Sequence, residues 1–300
     1  MLPRGVSAVL ISVARIRVTL CYAAVLTAVT TALSRLDPSV SDRIAAAAST
    51  NLHNLRHGHF GTLLASAFVT ESDGVYAWLP GLVCLLALAE LLWRSRPLVL
   101  TFTVGHIGAT LLVAAGLAVE VKLGWVPASV GRDIDVGMSY GAAAVLGALT
   151  AAIPLRRLPA WVGWWLAAGL TAAALSRDFT ATGHLIALLL GMVVSTRLNR
   201  PDRLPRGYVA LLAVAALFGL MLFAGSGPMM PVMLGVGALG AVAGVAAGKR
   251  IRSATNPSLM IAGWFAREEK QVPAREEKQA PAREEDRRAL SSPVISPKKP

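Results

Sequence analysis

The chain has 300 residues, of which 55% are hydrophobic and only 15% are charged. Soluble domains carry about a quarter charged residues, so this composition excludes an ordinary soluble protein and indicates an all-α polytopic membrane protein. The formal net charge of +12 does not indicate a nucleic-acid-binding protein, because many of the basic residues lie in short segments between apolar runs.

Eight apolar runs have lengths close to what is needed to cross about 30 Å of hydrocarbon. In chain order they cover residues 18–34, 75–93, 98–119, 137–154, 160–175, 181–196, 208–225 and 230–248. The first run has no clear small-residue cleavage site, so we expect a retained anchor rather than a cleaved signal peptide. Cys21 and Cys84 fall inside apolar runs and do not indicate a disulfide framework.

Basic residues are distributed unequally between the two sets of connecting segments. Fourteen lie in the segments that precede the odd-numbered spans or follow the last one, and six lie in the alternate segments. Because cytoplasmic segments carry the excess of Lys and Arg, both termini are predicted to be cytoplasmic, and the plasma membrane is the expected location.

The unequal distribution of basic residues predicts the side of the membrane on which a reporter will lie. A reporter fused after Lys299 should score as cytoplasmic, and a reporter inserted near Asp133 should score as external, because fourteen basic residues oppose six. An externally accessible C-terminus would contradict the predicted orientation.

Three regions are expected along the chain. Residues 1–206 form a six-span membrane core, residues 207–252 add two further spans, and residues 253–300 form a disordered low-complexity cytoplasmic tail. The tail contains the repeats AREEKQVP, AREEKQAP and AREEDRRA. Its prolines interrupt helices, and it has few apolar residues to bury.

Ionisable residues inside the spans are costly and are candidates for function. Glu90 lies near the end of the second span beside Arg94, so we expect its carboxylate to reach the membrane interface or to pair with an arginine. His106 lies in the third span between Gly105 and Gly108, where a hydrogen bond between helices is the simplest explanation.

Ser139 and His184 are placed at similar depth in this topology, each about one turn into a span entered from the outer side. Each residue begins a stripe of small residues that would let two helices approach closely. The stripes are Ser139, Ala143 and Gly147 in the fourth span and His184, Ala187 and Gly191 in the sixth. Gly137 and Gly141 flank the serine and are further candidates for helix packing.

Two interpretations of Ser139 remain open. Serines are common at close helix contacts, where the hydroxyl can bond to a carbonyl one turn earlier. A serine within hydrogen-bond reach of an imidazole is instead the minimal activated nucleophile.

Three segments together resemble the rhomboid intramembrane serine proteases. The segment GMSYGAAAVLGA resembles that family's fourth-span G-x-S-G-A motif, and GHLIALLLG (183–191) resembles its sixth-span histidine motif. HFGTLLASAFVT (59–70) resembles the stretch that leads into the second span. The resemblance implies a six-helix core in which Ser139 is the nucleophile and His184 the general base.

The sequence departs from the family pattern at several positions. Tyr140 follows the serine where the family has glycine, and the second span lacks the family's histidine and asparagine. Thr62 and Thr70 stand where the family has arginine and histidine. Loss of one oxyanion donor typically lowers the rate about a hundred- to a thousand-fold. Tyr140 and His106 are the candidates for a substitute oxyanion or cavity group.

The resemblance therefore favours a rhomboid-like serine protease that cleaves transmembrane segments near the outer membrane face. An inactive rhomboid-like protein that binds transmembrane helices is the alternative, and a small-solute transporter is the third. The expected partners are the lipid bilayer and transmembrane substrates or clients, with no nucleic acid. No metal and no cofactor are expected.

Overall fold

The computed structural model describes residues 14–70, 75–176, 178–225 and 229–254. Within these ranges the regular elements are helices, with no strand. The α-helices are α1 (Arg17–Leu33), α2 (Pro38–Ala48), α3 (Leu52–Arg56), α4 (Thr62–Ala65), α5 (Val75–Trp93), α6 (Ser95–Lys122), α7 (Ser139–Ala148), α8 (Leu158–Ser176), α9 (Phe179–Ser195), α10 (Arg206–Ala224) and α11 (Met229–Ala254). Short 3₁₀ helices cover Ser66–Phe68, Ala128–Arg132 and Leu149–Ala152.

The helices have the lengths and compositions of membrane spans. Within the described ranges, five helices are long and apolar enough to cross a bilayer, namely α5, α6, α8, α10 and α11. Three shorter apolar helices, α1, α7 with its 3₁₀ extension, and α9, occupy the other predicted spans. The predicted all-α polytopic membrane fold is confirmed.

The chain divides into two units, residues 1–248 and residues 249–300. Of the second unit the structure describes only the end of α11, up to Ala254. The predicted tail repeats lie outside the described residues.

Helix α7 occupies the centre of the first unit. Every residue from Tyr140 to Ile153 is buried, and the segment contains no charged side chain. Its neighbours include α6, α9, α5 and α10. Small residues allow these close contacts, because a glycine or alanine lets two helix backbones approach without the entropy cost of ordering long side chains.

Helices α10 and α11 pack on the same bundle as the other spans. Phe218 of α10 lies against Gly81 of α5, and Gly219 of α10 lies against Trp165 of α8. Gly240 of α11 faces the backbone of Gly163 in α8. Helix α10 therefore contacts both α5 and α8 as well as α7.

The structure corrects the expectation for Glu90. The side chain is 1% exposed and neither reaches the interface nor pairs with an arginine. Its carboxylate accepts the backbone N–H groups of Val18 (3.1 Å) and Thr19 (2.9 Å) and the hydroxyls of Thr19 and Ser95 (both 2.7 Å). These N–H groups belong to the first turn of α1, which lacks intrahelical acceptors for them, so an anion is stabilised there.

Candidate intramembrane site around Ser139 and His184

Ser139 is the first residue of α7 and is partly exposed. The prediction that it lies one turn inside the helix is wrong. Gly137 has φ +121° and donates its N–H to the carbonyl of Ser66 at 2.8 Å. This positive φ suits glycine and ends the extended segment, so the helix starts two residues later.

Gly137 is not a packing residue, contrary to its assignment from the sequence. A Cβ at this position would meet no atom within 4 Å. The glycine is required by the backbone conformation rather than by a neighbouring helix. Gly141 does lie at a contact, since a Cβ there would strike the ring of Phe102 in α6.

The two stripes of small residues meet between α7 and α9. A Cβ on Gly147 would overlap the carbonyl of Leu188, and a Cβ on Gly191 would overlap the carbonyl of Ala144. Ala187 is fully buried in the same contact. The backbones of α7 and α9, the helices that carry the serine and the histidine, are thus in direct contact at these two glycines.

The two candidate catalytic side chains, Ser139 and His184, are not hydrogen-bonded to each other in the structure. His184 is 8% exposed, and its Nε2 has no hydrogen-bond partner. No hydrogen bond links it to the Ser139 hydroxyl among the described residues. A general base must lie within about 2.6–3.2 Å of the hydroxyl it activates, although this distance is often longer before substrate binds.

Tyr140 occupies the space beside His184. It is 2% exposed, and its ring lies edge-on to the imidazole with centroids 5.5 Å apart and an interplanar angle of 78°. The ring fits because Gly183 has no side chain, and a Cβ there would strike the phenol. The Tyr140 hydroxyl is buried, and among the described residues it forms no hydrogen bond with Ser139.

His106 belongs to a different cluster from His184. Its Nε2 lies 3.1 Å from the Ser66 hydroxyl, and its ring stacks on Phe102 with centroids 6.1 Å apart. The carbonyl of the same Ser66 accepts the Gly137 N–H. His106 therefore supports the entry to α7 through Ser66. Sequence reasoning missed Ser66, whose only signal was its place in the family-like stretch 59–70.

Two cavities lie near the site, and neither is lined by Ser139 or His184. The larger cavity, about 530 Å³, is lined by residues of α1, α4, α5, α6 and the first 3₁₀ helix. The smaller cavity, about 10 Å³, is lined in part by Asp135 and Phe179. A volume of this size holds about one water molecule. Within the part of the chain that the structure describes, no three His, Cys, Asp or Glu side chains are grouped to hold a metal ion.

Residues 12–203 match the family model described as rhomboid-like protein. The chain belongs to the rhomboid-like family. Comparison with curated proteins and with solved structures gives no match. The recognition made from the fourth- and sixth-span motifs is thereby confirmed at the level of the family.

This rhomboid-like protein has a helix beyond the matched residues that reaches the candidate site. Phe223 of α10 lies edge-on to His184, with centroids 6.0 Å apart and an interplanar angle of 74°. The same ring also contacts Trp165 of α8, again with centroids 6.0 Å apart. His184 is consequently enclosed between the rings of Tyr140 and Phe223. Among the described residues, neither of these contacts gives its Nε2 a hydrogen bond.

Proposed function

We propose that this rhomboid-like membrane protein binds transmembrane helices of other proteins without hydrolysing them. The observation that carries the proposal is the enclosure of His184 between the rings of Tyr140 and Phe223, with no hydrogen bond to Ser139 among the described residues. A histidine enclosed in this way is suited to fill space between helices, since its imidazole makes no hydrogen bond to the serine that it would have to activate.

The surroundings of the pair also fit a binding role better than hydrolysis. The second span, α5, offers no histidine or asparagine to stabilise an oxyanion. The phenol of Tyr140 occupies the region beside the imidazole, where hydrolysis requires water and a scissile carbonyl. Each missing donor removes a large share of the electrostatic stabilisation on which acyl transfer depends.

Helix α11 supports the binding part of the proposal. Only 11% of its most apolar stretch is buried within the protein. Its exposed surface includes Gly235, Ala238 and Ala246, which present little side-chain bulk. Small residues let a second transmembrane helix pack closely, and lipid-exposed helices associate through such faces.

The test compares serine labelling with helix binding. Wild type and Ser139→Ala should show equal labelling by a fluorophosphonate probe and no cleavage of a helix-destabilised transmembrane reporter. Both should photo-crosslink to that reporter equally well, because Ser139→Ala removes only one hydroxyl. Leucine at both Ala238 and Ala246 should reduce the crosslinking. Labelling of Ser139 that is lost in His184→Ala would contradict the proposal.

Proteolysis is the second candidate, and the start of α7 favours it. Ser139 is partly exposed, no side chain caps the helix, and His184 Nε2 is unpartnered among the described residues. First-turn N–H groups at a helix N-terminus can stabilise an oxyanion.

If the dyad is competent, Tyr140→Gly should raise reporter cleavage, since it restores the family residue and opens the space beside His184. Tyr140→Phe is the matched control, because it keeps the ring and should leave cleavage unchanged. No cleavage by wild type or Tyr140→Gly across a panel of reporters would exclude this candidate.

A further inference from the structure

The cavity of about 530 Å³ described above lies between α1 and α6. Its volume of about 530 Å³ falls within the range of about 300–1,000 Å³ typical of ligand pockets. Apolar side chains from both helices form most of its wall, and representative ones are Val18, Val25, Leu98, Val99, Phe102 and Ile107. Val25 and Val99 are each 46% exposed, so the cavity is open on the side that faces lipid.

The two helical walls of the cavity meet at a pair of aromatic rings. Tyr22 and Phe102 both line it, and their rings meet edge-on with centroids 5.2 Å apart, which links α1 to α6. The Tyr22 hydroxyl donates to the carbonyl of Ala67 at 2.6 Å, so its polar atom is already satisfied. An α-helix with side chains is about 10 Å wide, so it fits poorly between walls that meet at these two rings.

A cation lies at one end of the cavity. Arg17, the first residue of α1, lines the cavity together with Leu98 and Val99 and is exposed. Among the described residues it forms no ion pair. The nearby Glu90 carboxylate is already occupied by four hydrogen bonds from Val18, Thr19 and Ser95. The guanidinium is therefore available to an anion outside the protein.

The other end of the cavity holds a buried polar group. His106 lines the cavity, is 4% exposed, and has an Nδ1 without a hydrogen-bond partner among the described residues. It lies seven residues beyond Val99 on α6, which corresponds to about 10 Å along a helix. The cavity thus runs from an exposed guanidinium at one end, between apolar walls, to a buried imidazole at the other.

We propose that this cavity binds one acyl chain of an anionic phospholipid whose phosphate contacts Arg17. The apolar walls would replace lipid contacts of the chain, and the guanidinium would donate charge-assisted hydrogen bonds to the phosphate. Basic pockets between transmembrane helices are known sites for anionic head groups. The contact of the two walls at Tyr22 and Phe102 favours a single acyl chain over a protein helix. The proposal is independent of whether Ser139 is reactive.

Native mass spectrometry of the full chain tests this inference. The protein is released from nanodiscs that contain equal amounts of phosphatidylglycerol and phosphatidylcholine. Wild type should retain phosphatidylglycerol preferentially, and Arg17→Gln should lower that preference about fivefold, as expected for one basic side chain near an anionic surface. Arg35→Gln, at the opposite end of α1, is the matched charge control and should retain the wild-type preference.

A second variant pair tests the cavity itself. Val99→Trp places a large ring at the mouth and should reduce retention of both lipids. Leu100→Trp is the neighbouring control, since Leu100 is 60% exposed and does not line the cavity. Both changes fall on lipid-facing positions, and unchanged thermal unfolding would show that each variant folds.

Several outcomes would overturn the proposal. Equal phosphatidylglycerol retention by wild type, Arg17→Gln and Val99→Trp would do so. Displacement of the lipid by millimolar inorganic phosphate would show that the site recognises phosphate alone. A photoactivatable phosphatidylglycerol should crosslink to peptides of α1 and α6, and crosslinks confined to other helices would exclude this site.

Discussion

Leucine in place of Gly147 or Gly191 is expected to lower the stability of the protein strongly. At both positions even a Cβ would overlap a backbone carbonyl of the facing helix, that of Leu188 for Gly147 and that of Ala144 for Gly191. Backbone atoms cannot rotate away as a side chain can, so α7 and α9 must separate. The loss should reach the upper end of the about 1–3 kcal/mol typical of overpacked cores, measured by thermal unfolding in detergent.

Gly116→Leu provides the matched control for these substitutions. Gly116 lies within α6 and is exposed, and a Cβ added there would meet no atom within 4 Å. Leucine there should leave the unfolding temperature almost unchanged, or raise it slightly because leucine has the higher helix propensity. Wild-type stability of both Gly147→Leu and Gly191→Leu would show that α7 and α9 do not pack face to face.

Replacing Glu90 by alanine is expected to detach the start of α1 from the α5–α6 turn. The buried carboxylate accepts the N–H groups of Val18 and Thr19, which have no intrahelical acceptor. The hydroxyls of Thr19 and Ser95 can find other acceptors, but the two N–H groups cannot move. At about 1–3 kcal/mol for each of the two unsatisfied donors, the loss should be about 2–6 kcal/mol of unfolding free energy.

Glu90→Gln distinguishes the loss of the carboxylate from the loss of volume. Glutamine keeps one carbonyl oxygen but turns an N–H₂ group toward donors, so it should also destabilise the protein, by less than alanine does. Glu120→Ala serves as the control because Glu120 is exposed near the end of α6. Surface changes of this kind usually fall within about 0.5 kcal/mol. If Glu90→Ala matches the control, α1 is held by apolar packing alone.

The two sets of substitutions report on different parts of the bundle. Gly147 and Gly191 hold the helix pair that carries Ser139 and His184, whereas Glu90 holds α1 beside the cavity with Arg17 at its end. Loss of lipid preference in Glu90→Ala with retained reporter binding would therefore locate the two proposed activities in separate regions of the protein.

The sequence by itself determined the membrane character, the order of the helices and the family. These features are local, since hydrophobic length marks a span whatever its neighbours are, and a motif such as GHLIALLLG is contiguous. The stripes of small residues also indicated which faces of α7 and α9 approach closely, because helical periodicity fixes the face on which residues four apart lie.

Only the tertiary structure decided what surrounds the candidate catalytic residues. Ser139 begins its helix because Gly137 is held by Ser66, a residue from a distant part of the chain. Tyr140 fits beside His184 because Gly183 leaves room, and Phe223 reaches the same imidazole from α10. Glu90 stabilises the first turn of α1 instead of pairing with an arginine. Each of these outcomes depends on contacts between residues far apart in the sequence, and periodicity along one helix does not specify which partner meets its face.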